Sequence, residues 1–207
     1  MALDLPGHGC SGGEGRQTIS GYADFFVRFI ASLGLERVIP VGHSMGGAIA
    51  LDLALQHPEG LAGLVLVATG ARLRVLPAIL EGLESNFEAT VEAICGYAYG
   101  SEADERLVRL SREEMVAAGP QLLRRDFLAC DRFDVMDCLG EIHLPTLIIC
   151  GDEDRLTPLK YSQFLADHIQ GAALVTIPEA GHMVMLERPK EVNEAIVGFL
   201  RSLSVGP

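Results

Sequence analysis

Three short stretches of the chain carry residue types that could do nucleophilic chemistry. VGHSMGG (41–47) sets Ser44 between Gly42 and Gly46, with Gly47 beside them. GDEDRLTP (151–158) offers two carboxylates, Asp152 and Asp154. GHMVMLERP (181–189) offers His182. A serine hydroxyl is a weak nucleophile and needs a base, which in turn needs an orienting acid. The three stretches supply these in the order serine, aspartate, histidine. The chemistry they suit is attack on an ester-like carbonyl, with the oxyanion held by backbone N–H groups and an acyl intermediate released by water.

Each group must be placed by an element of structure. RVIPV (37–41) is a short apolar strand, and MGGAIALDLALQH (45–57) is a helix that ends before Pro58. Ser44 falls on the sharp turn between them. The pattern G-x-S-x-G gains its meaning from this strand–turn–helix context. In such a turn the serine backbone is strained, and small neighbours avoid clashes. Gly42 and Gly46 are expected to let strand and helix approach, and Gly47 to make room in the first turn. The helix N-terminus favours negative charge developing there.

His182 lies in the loop between the strand ALVTIP (173–178) and the last helix, where a base can reach over the sheet edge. His43 adjoins Ser44 and should point away from it. His57, His143 and His168 sit at a helix end, before a strand and within a helix, and are read as structural or solvated. The acid follows the strand PTLIICG (145–151). Asp152 follows that strand too closely to turn. Asp154, three residues past Gly151, has the freedom to reach His182.

Further elements complete the scaffold. ALDL (2–5) has the look of a strand end, and PGHGCSGGEG (6–15) is a glycine-rich loop. Apolar residues at helical spacing over 20–33 begin at Ser20 as a cap and stop at Gly34. LAGLVLVAT (61–69) is another strand, 159–169 a helix, and 189–203 a last helix. Apolar strands alternating with helices predict an α/β architecture, a parallel sheet covered on both faces. Residues 71–140 have helical periodicity and no strand, which predicts a helical insertion between core segments 1–70 and 141–207.

The bulk properties bound the function. A chain of 207 residues, 49% apolar and 21% charged, can bury one sizeable core. A net charge of −12 repels phosphate backbones and anionic lipid, which argues against nucleic acid and membrane partners. No apolar run reaches the ~18 residues of a membrane span. Five cysteines without a C-x-x-C pair argue for reduced thiols in a cytoplasmic setting and against a zinc cluster. No cofactor or metal is called for. Gly7-His8-Gly9-Cys10-Ser11-Gly12 matches G-x-G-x-x-G, but nucleotide binding needs a helix to open within it, and Gly13 and Gly15 delay that helix to about Ser20. The charged stretches in 101–114 and at Arg124-Arg125 read as solvated helix faces.

Taken together, VGHSMGG, GDEDRLTP and GHMVMLERP resemble the nucleophile, acid and base segments of the α/β-hydrolase superfamily, in its capped esterase, lactonase and carbon–carbon hydrolase group. DLPGHGCS (4–11) is similar to the loop found shortly before the nucleophile there. The resemblance implies Ser44 as nucleophile, His182 as base, Asp154 as orienter and the Met45 backbone N–H as an oxyanion donor. It implies that 71–140 is a helical lid. Its aromatic residues Phe87, Tyr97, Tyr99, Phe127 and Phe133 suggest a small apolar or aromatic ester-like substrate. Family chains begin several dozen residues earlier, with a further central strand and a His-Gly loop giving a second oxyanion donor. An N-terminally truncated hydrolase fold is therefore expected, with an unpaired edge on the serine strand. A carboxylesterase is the first reading, and an enol-lactonase or carbon–carbon hydrolase the alternative. A binding protein or inactive fragment with a hydrolase fold is the rival of another class.

Overall fold

The computed structural model describes residues 1–204, so 205–207 of the expected C-terminal core segment lie outside the described residues. Four strands, β1 (Val41–His43), β2 (Leu64–Val67), β3 (Thr146–Gly151) and β4 (Ala173–Ile177), lie side by side in chain order, all parallel. Helices α1 (Ile19–Ser32) and α2 (Met45–Gln56) flank β1. Between β2 and β3 come α3 (Pro77–Ser85), α4 (Phe87–Ala98), α5 (Glu105–Ala118) and α6 (Pro120–Asp131), then a 3-10 turn at Met136–Glu141. Helix α7 (Leu159–His168) links β3 to β4, and α8 (Val184–Glu187) and α9 (Pro189–Ser204) follow β4.

Successive strand residues face opposite sides of a sheet, and here each side has its own core. Leu64, Leu66 and Ile148 pack with Ile19, Tyr22, Leu51, Leu53 and Leu165 of α1, α2 and α7. Val65, Val67, Leu147 and Ile149 pack with Val192 and Phe199 of α9. Both faces are thus covered, which is why β2 and β3 are apolar without alternation.

Several boundaries differ from expectation. ALDL (2–5) forms no strand, since a lone extended segment has no ladder to join. The serine strand is Val41–His43, shifted toward Ser44, whose own N–H donates to the Val67 carbonyl at 2.9 Å. Upstream, Pro40 has no N–H to give, and Val38 makes only an isolated bridge with Leu61. The cap of α1 is Thr18, whose hydroxyl accepts the Gly21 N–H at 3.1 Å; Ser20 merely donates to that hydroxyl. No helix opens within Gly7–Gly12; that loop folds on itself through bonds such as His8 N–H to the Leu5 carbonyl at 2.9 Å.

The helical insertion stands on a narrow base. Arg72 and Asp134 form an antiparallel bridge, and Val135 N–H donates to the Ala71 carbonyl at 2.8 Å. A second attachment is polar: Asp126 of α6 accepts from the buried Tyr22 hydroxyl of α1 and pairs with His8 Nε2 at 2.9 Å. A buried carboxylate with two partners is compensated where a lone one would not be. The charged faces are paired as well as solvated: Arg125 meets Glu14 at 2.6 Å, and Arg112 meets Glu92 at 2.7 Å. The five aromatic residues expected to line a substrate pocket divide. Tyr99 and Phe133 are buried by the protein's own packing, and Tyr97 is exposed beneath the Arg155 guanidinium. Phe87 and Phe127 are half-buried.

Candidate active site

At the end of β1 the backbone of Ser44 is left-handed, with φ 51° and ψ −113°. A non-glycine residue in that region is strained. What forces the turn is close approach. A Cβ on Gly42 would lie 2.1 Å from the Gly46 carbonyl oxygen, and one on Gly47 would lie 2.5 Å from the Thr69 side chain. Gly46 itself has open space, so the tight positions are Gly42 and Gly47, not Gly42 and Gly46 as the motif suggests. Thr69 then donates its hydroxyl to the Ser44 carbonyl at 2.8 Å. Met45 opens α2, where a backbone N–H has no intrahelical acceptor.

The loops after β3 and β4 bring Asp154 and His182 together. His182 Nδ1 lies 2.9 Å from Asp154 Oδ2, with both residues 5% exposed. Asp154 also accepts the N–H of Leu156 at 2.9 Å, the N–H of Thr157 at 2.8 Å and the Thr157 hydroxyl at 2.7 Å. Burial pushes the Asp154 carboxyl up, but the hydrogen bond and charge of His182 and the Thr157 bonds outweigh it, holding the group below its ordinary value. With an ionised carboxylate at Nδ1, the proton sits on Nδ1 and leaves Nε2 as the acceptor, an assignment made from the partners. Asp152 is exposed, and its backbone N–H is spent on the Ile177 carbonyl at 3.1 Å. A Cβ on Gly151 would lie 2.1 Å from the Ala180 carbonyl oxygen, so the acid and base loops pass at glycine distance.

Sequence reasoning gave His43 no part beyond structure. Its ring does not serve Ser44, but it packs 4.7 Å from the His182 ring, and its Nε2 donates to the His182 carbonyl at 2.9 Å. The residue before the serine therefore holds the residue that would serve it. Thr69 and Thr157 were missed also, because each acts through a contact 25 residues away, on Ser44 and His182 respectively. His57, His143 and His168 are exposed, the last bonded to the Phe164 carbonyl. A cavity of about 210 Å³ beside Ala71, Arg72, Met136, Lys160, Tyr161 and Phe164 includes none of Ser44, Asp154 or His182, so it is not where their chemistry would occur. Among the described residues, no group of three or more His, Cys, Asp or Glu is placed to hold a metal ion.

The His43 ring is enclosed by its neighbours although the residue as a whole is only half-buried. Burial pushes its imidazole down to about 3, and the adjacent His182 adds to the shift. The unfolded chain takes up this proton below the ordinary value of 6.5, and the folded chain refuses it until about 3. Stability should therefore fall as pH falls from 6.5. Asp154, held low, loses its contribution only as pH falls through its depressed value, below the ordinary carboxylate range of about 4. Between these limits His43→Asn should flatten the dependence of the thermal midpoint on pH. Parallel curves for the two proteins would show that His43 is not the source.

The parallel sheet thus carries a serine on the positive-φ turn after β1 and a buried Asp–His pair on the loops after β3 and β4. A model of the alpha/beta hydrolase family matches residues 1–195, and the chain belongs to that family. Its fold is the α/β-hydrolase fold, and it is a hydrolase of that class. The chain is 33% identical over 217 residues to RutD of Rhizobium rhizogenes (strain K84), a provisional carbamate hydrolase, covering 99% of this chain and 83% of the relative. It is 30% identical over 185 residues to the 2-hydroxy-6-oxo-6-phenylhexa-2,4-dienoate hydrolase of Comamonas testosteroni, covering 82% of this chain and 65% of that one. Among solved structures it superposes on a thermophilic esterase with a TM-score of 0.87 and 42% identity, covering 97% of this chain and 79% of the other. Among the described residues, no helix is long and apolar enough to cross a membrane.

Proposed function

We propose that the chain is a cofactor-free serine hydrolase that cleaves a carboxylic ester or related carbonyl compound through an acyl-enzyme. The observation that carries this reading is the buried 2.9 Å bond between His182 Nδ1 and Asp154, formed beside the strained turn that bears Ser44. His182 Nε2 takes the Ser44 proton as Oγ attacks the carbonyl carbon. The Met45 N–H is a donor to the oxyanion. As the tetrahedral adduct collapses, His182 returns its proton to the leaving alcohol. Water then attacks the acyl group, giving its proton to His182, and the acid departs as Ser44 is reprotonated.

The insertion over 71–140 is a lid in this reading, with half-buried Phe87 and Phe127 as its aromatic surfaces for a small apolar or aromatic substrate. A net charge of −12 disfavours nucleic acid and membrane surface as partners. Five free thiols suit a cytoplasmic setting. The 42% identity with an esterase favours the ester. The similarity to an oxo-dienoate hydrolase favours, as the second reading, an enol-lactone or a carbon–carbon bond next to a carbonyl. A non-catalytic binding protein on the same fold would have an exposed but unactivated serine. Incubation with a fluorophosphonate, then mass spectrometry of the tryptic peptides, separates these. One adduct on Ser44 is expected; a folded chain whose Ser44 stays unmodified would sink the serine mechanism.

A further inference from the structure

The end of α4 is bonded to both loops that carry the acid and the base. On the base side, Gly181 N–H donates to Glu187 Oε1 at 3.0 Å, and Met183 N–H to the Ala98 carbonyl at 3.1 Å. These residues lie immediately before and after His182. The other oxygen of Glu187, Oε2, accepts the Gly100 N–H at 2.8 Å. One carboxylate thus spans the base loop and the helical insertion. Gly100 and Gly181 meet backbone to backbone, since a Cβ on Gly181 would lie 2.4 Å from the Gly100 nitrogen. No side chain fits between them, and both N–H groups turn to the same acceptor. On the acid side, Glu153 accepts the N–H of Ser101 at 2.6 Å and its hydroxyl at 3.0 Å. Arg155 donates to the carbonyls of Gly96 and, at 3.2 Å, Tyr99. Those two residues flank Asp154. The loops are also joined directly, Glu153 N–H donating to the Ala180 carbonyl at 2.9 Å.

We propose that Glu187 is a positioning residue for the hydrolysis: by holding Gly181 and Gly100 on one carboxylate it fixes His182 against Asp154, and it makes the end of α4 part of the frame that sets reaction geometry. This rests on the serine-hydrolase reading above. Hydrogen bonds to an ionised acceptor are about twice as strong as neutral ones. Without this acceptor, two backbone N–H groups lose their partner, and the base loop is left with the Met183 bond, the His43 contact and the Glu153–Ala180 bond. A displacement of about an ångström at a reacting group costs roughly 10²-fold in rate.

Glu187→Gln tests this with little change in volume. Its amide oxygen can accept one N–H, while its NH₂ faces the other, donor against donor. On p-nitrophenyl acetate kcat should fall about 10- to 100-fold, with KM within about threefold, because a geometry of the transition state is lost and not ground-state binding. The rate of Ser44 labelling by fluorophosphonate should fall by the same factor. The far-downfield proton signal of His182 Nδ1–H should shift or broaden. A purely structural role would lower the thermal midpoint while leaving kcat, labelling rate and that signal unchanged at temperatures well below it, and this result overturns the proposal. Gly100→Ala attacks the same contact from the insertion, since its Cβ would lie 3.0 Å from both Glu187 Oε2 and the Gly181 nitrogen. It stands in if Glu187→Gln does not fold, with the same fall in kcat expected and an unchanged kcat counting against the latch. A wild-type chain that never labels overturns the serine reading and the latch with it. A labelled wild type matched by an equally fast Glu187→Gln removes the latch alone.

Discussion

Ser44→Ala is expected to reduce turnover of a short-chain aryl ester by a factor on the order of 10⁶, the scale seen when a serine nucleophile is removed. The fold should survive. The Ser44 hydroxyl makes no side-chain hydrogen bond among the described residues, and the two bonds that pin the turn, from Thr69 to the Ser44 carbonyl and from Ser44 N–H to Val67, belong to the backbone. Alanine at φ 51° carries the same strain as serine, so no new backbone cost arises. Measured side by side, the two proteins should share a thermal midpoint and differ only in turnover and in fluorophosphonate labelling. A well-folded Ser44→Ala protein that keeps most of its turnover would end the mechanism proposed above.

Asp154→Asn should lower kcat by on the order of 10⁴, and Asp152→Asn far less. The reason lies in the donors around the buried carboxylate. Leu156 N–H, Thr157 N–H, the Thr157 hydroxyl and His182 Nδ1–H all point at Asp154. An asparagine must place its NH₂ against one of them. If it faces the imidazole, the ring changes tautomer and Nε2 carries the proton it should accept. Asp152 is exposed and holds the loop through its backbone, which asparagine retains. Both mutants are to be assayed well below their thermal midpoints, because an imperfect partner in the buried site also costs about 1–3 kcal/mol. A larger loss at Asp152 would move the orienting role from Asp154 to Asp152.

What sequence makes legible is what neighbours along the chain decide. The alternation of apolar strands and helices follows from local pattern, and so does the strand–turn–helix around Ser44. The loops that end β3 and β4 place Asp154 and His182 at the same sheet edge, so their meeting could be anticipated from topology. Contacts set by distant residues could not. Whether Gly46 or Gly47 is the tight glycine depends on Thr69, and nothing near the motif says so. The N-terminus of α1 passed to Thr18 because only geometry shows which hydroxyl faces the Gly21 N–H. Asp126 drew no reading from the sequence, yet it sits buried between Tyr22 and His8, more than a hundred residues back along the chain. The aromatic residues of the insertion were read by type, and type does not tell a pocket wall such as Phe127 could form from a packed core residue such as Phe133.

The narrow base of the insertion has a consequence for how this chain could diversify. Entry and exit are zipped at Ala71–Arg72 and Asp134–Val135, so the insertion leaves and rejoins the sheet at one point. Such a joint favours exchange of the exposed helical surfaces within 73–133, while Leu73, Ala129 and Phe133 stay packed in the core beside Leu64, Leu66 and Ile148. The exchange has two fixed clauses, the first being that Asp126 keeps its bonds to Tyr22 and His8. Any replacement must still present backbone groups where Gly96, Ala98, Gly100 and Ser101 now meet the acid and base loops. Libraries that randomise the insertion around that retained six-residue span should yield folded variants with altered substrate range, and those that cross it should lose rate before they lose fold.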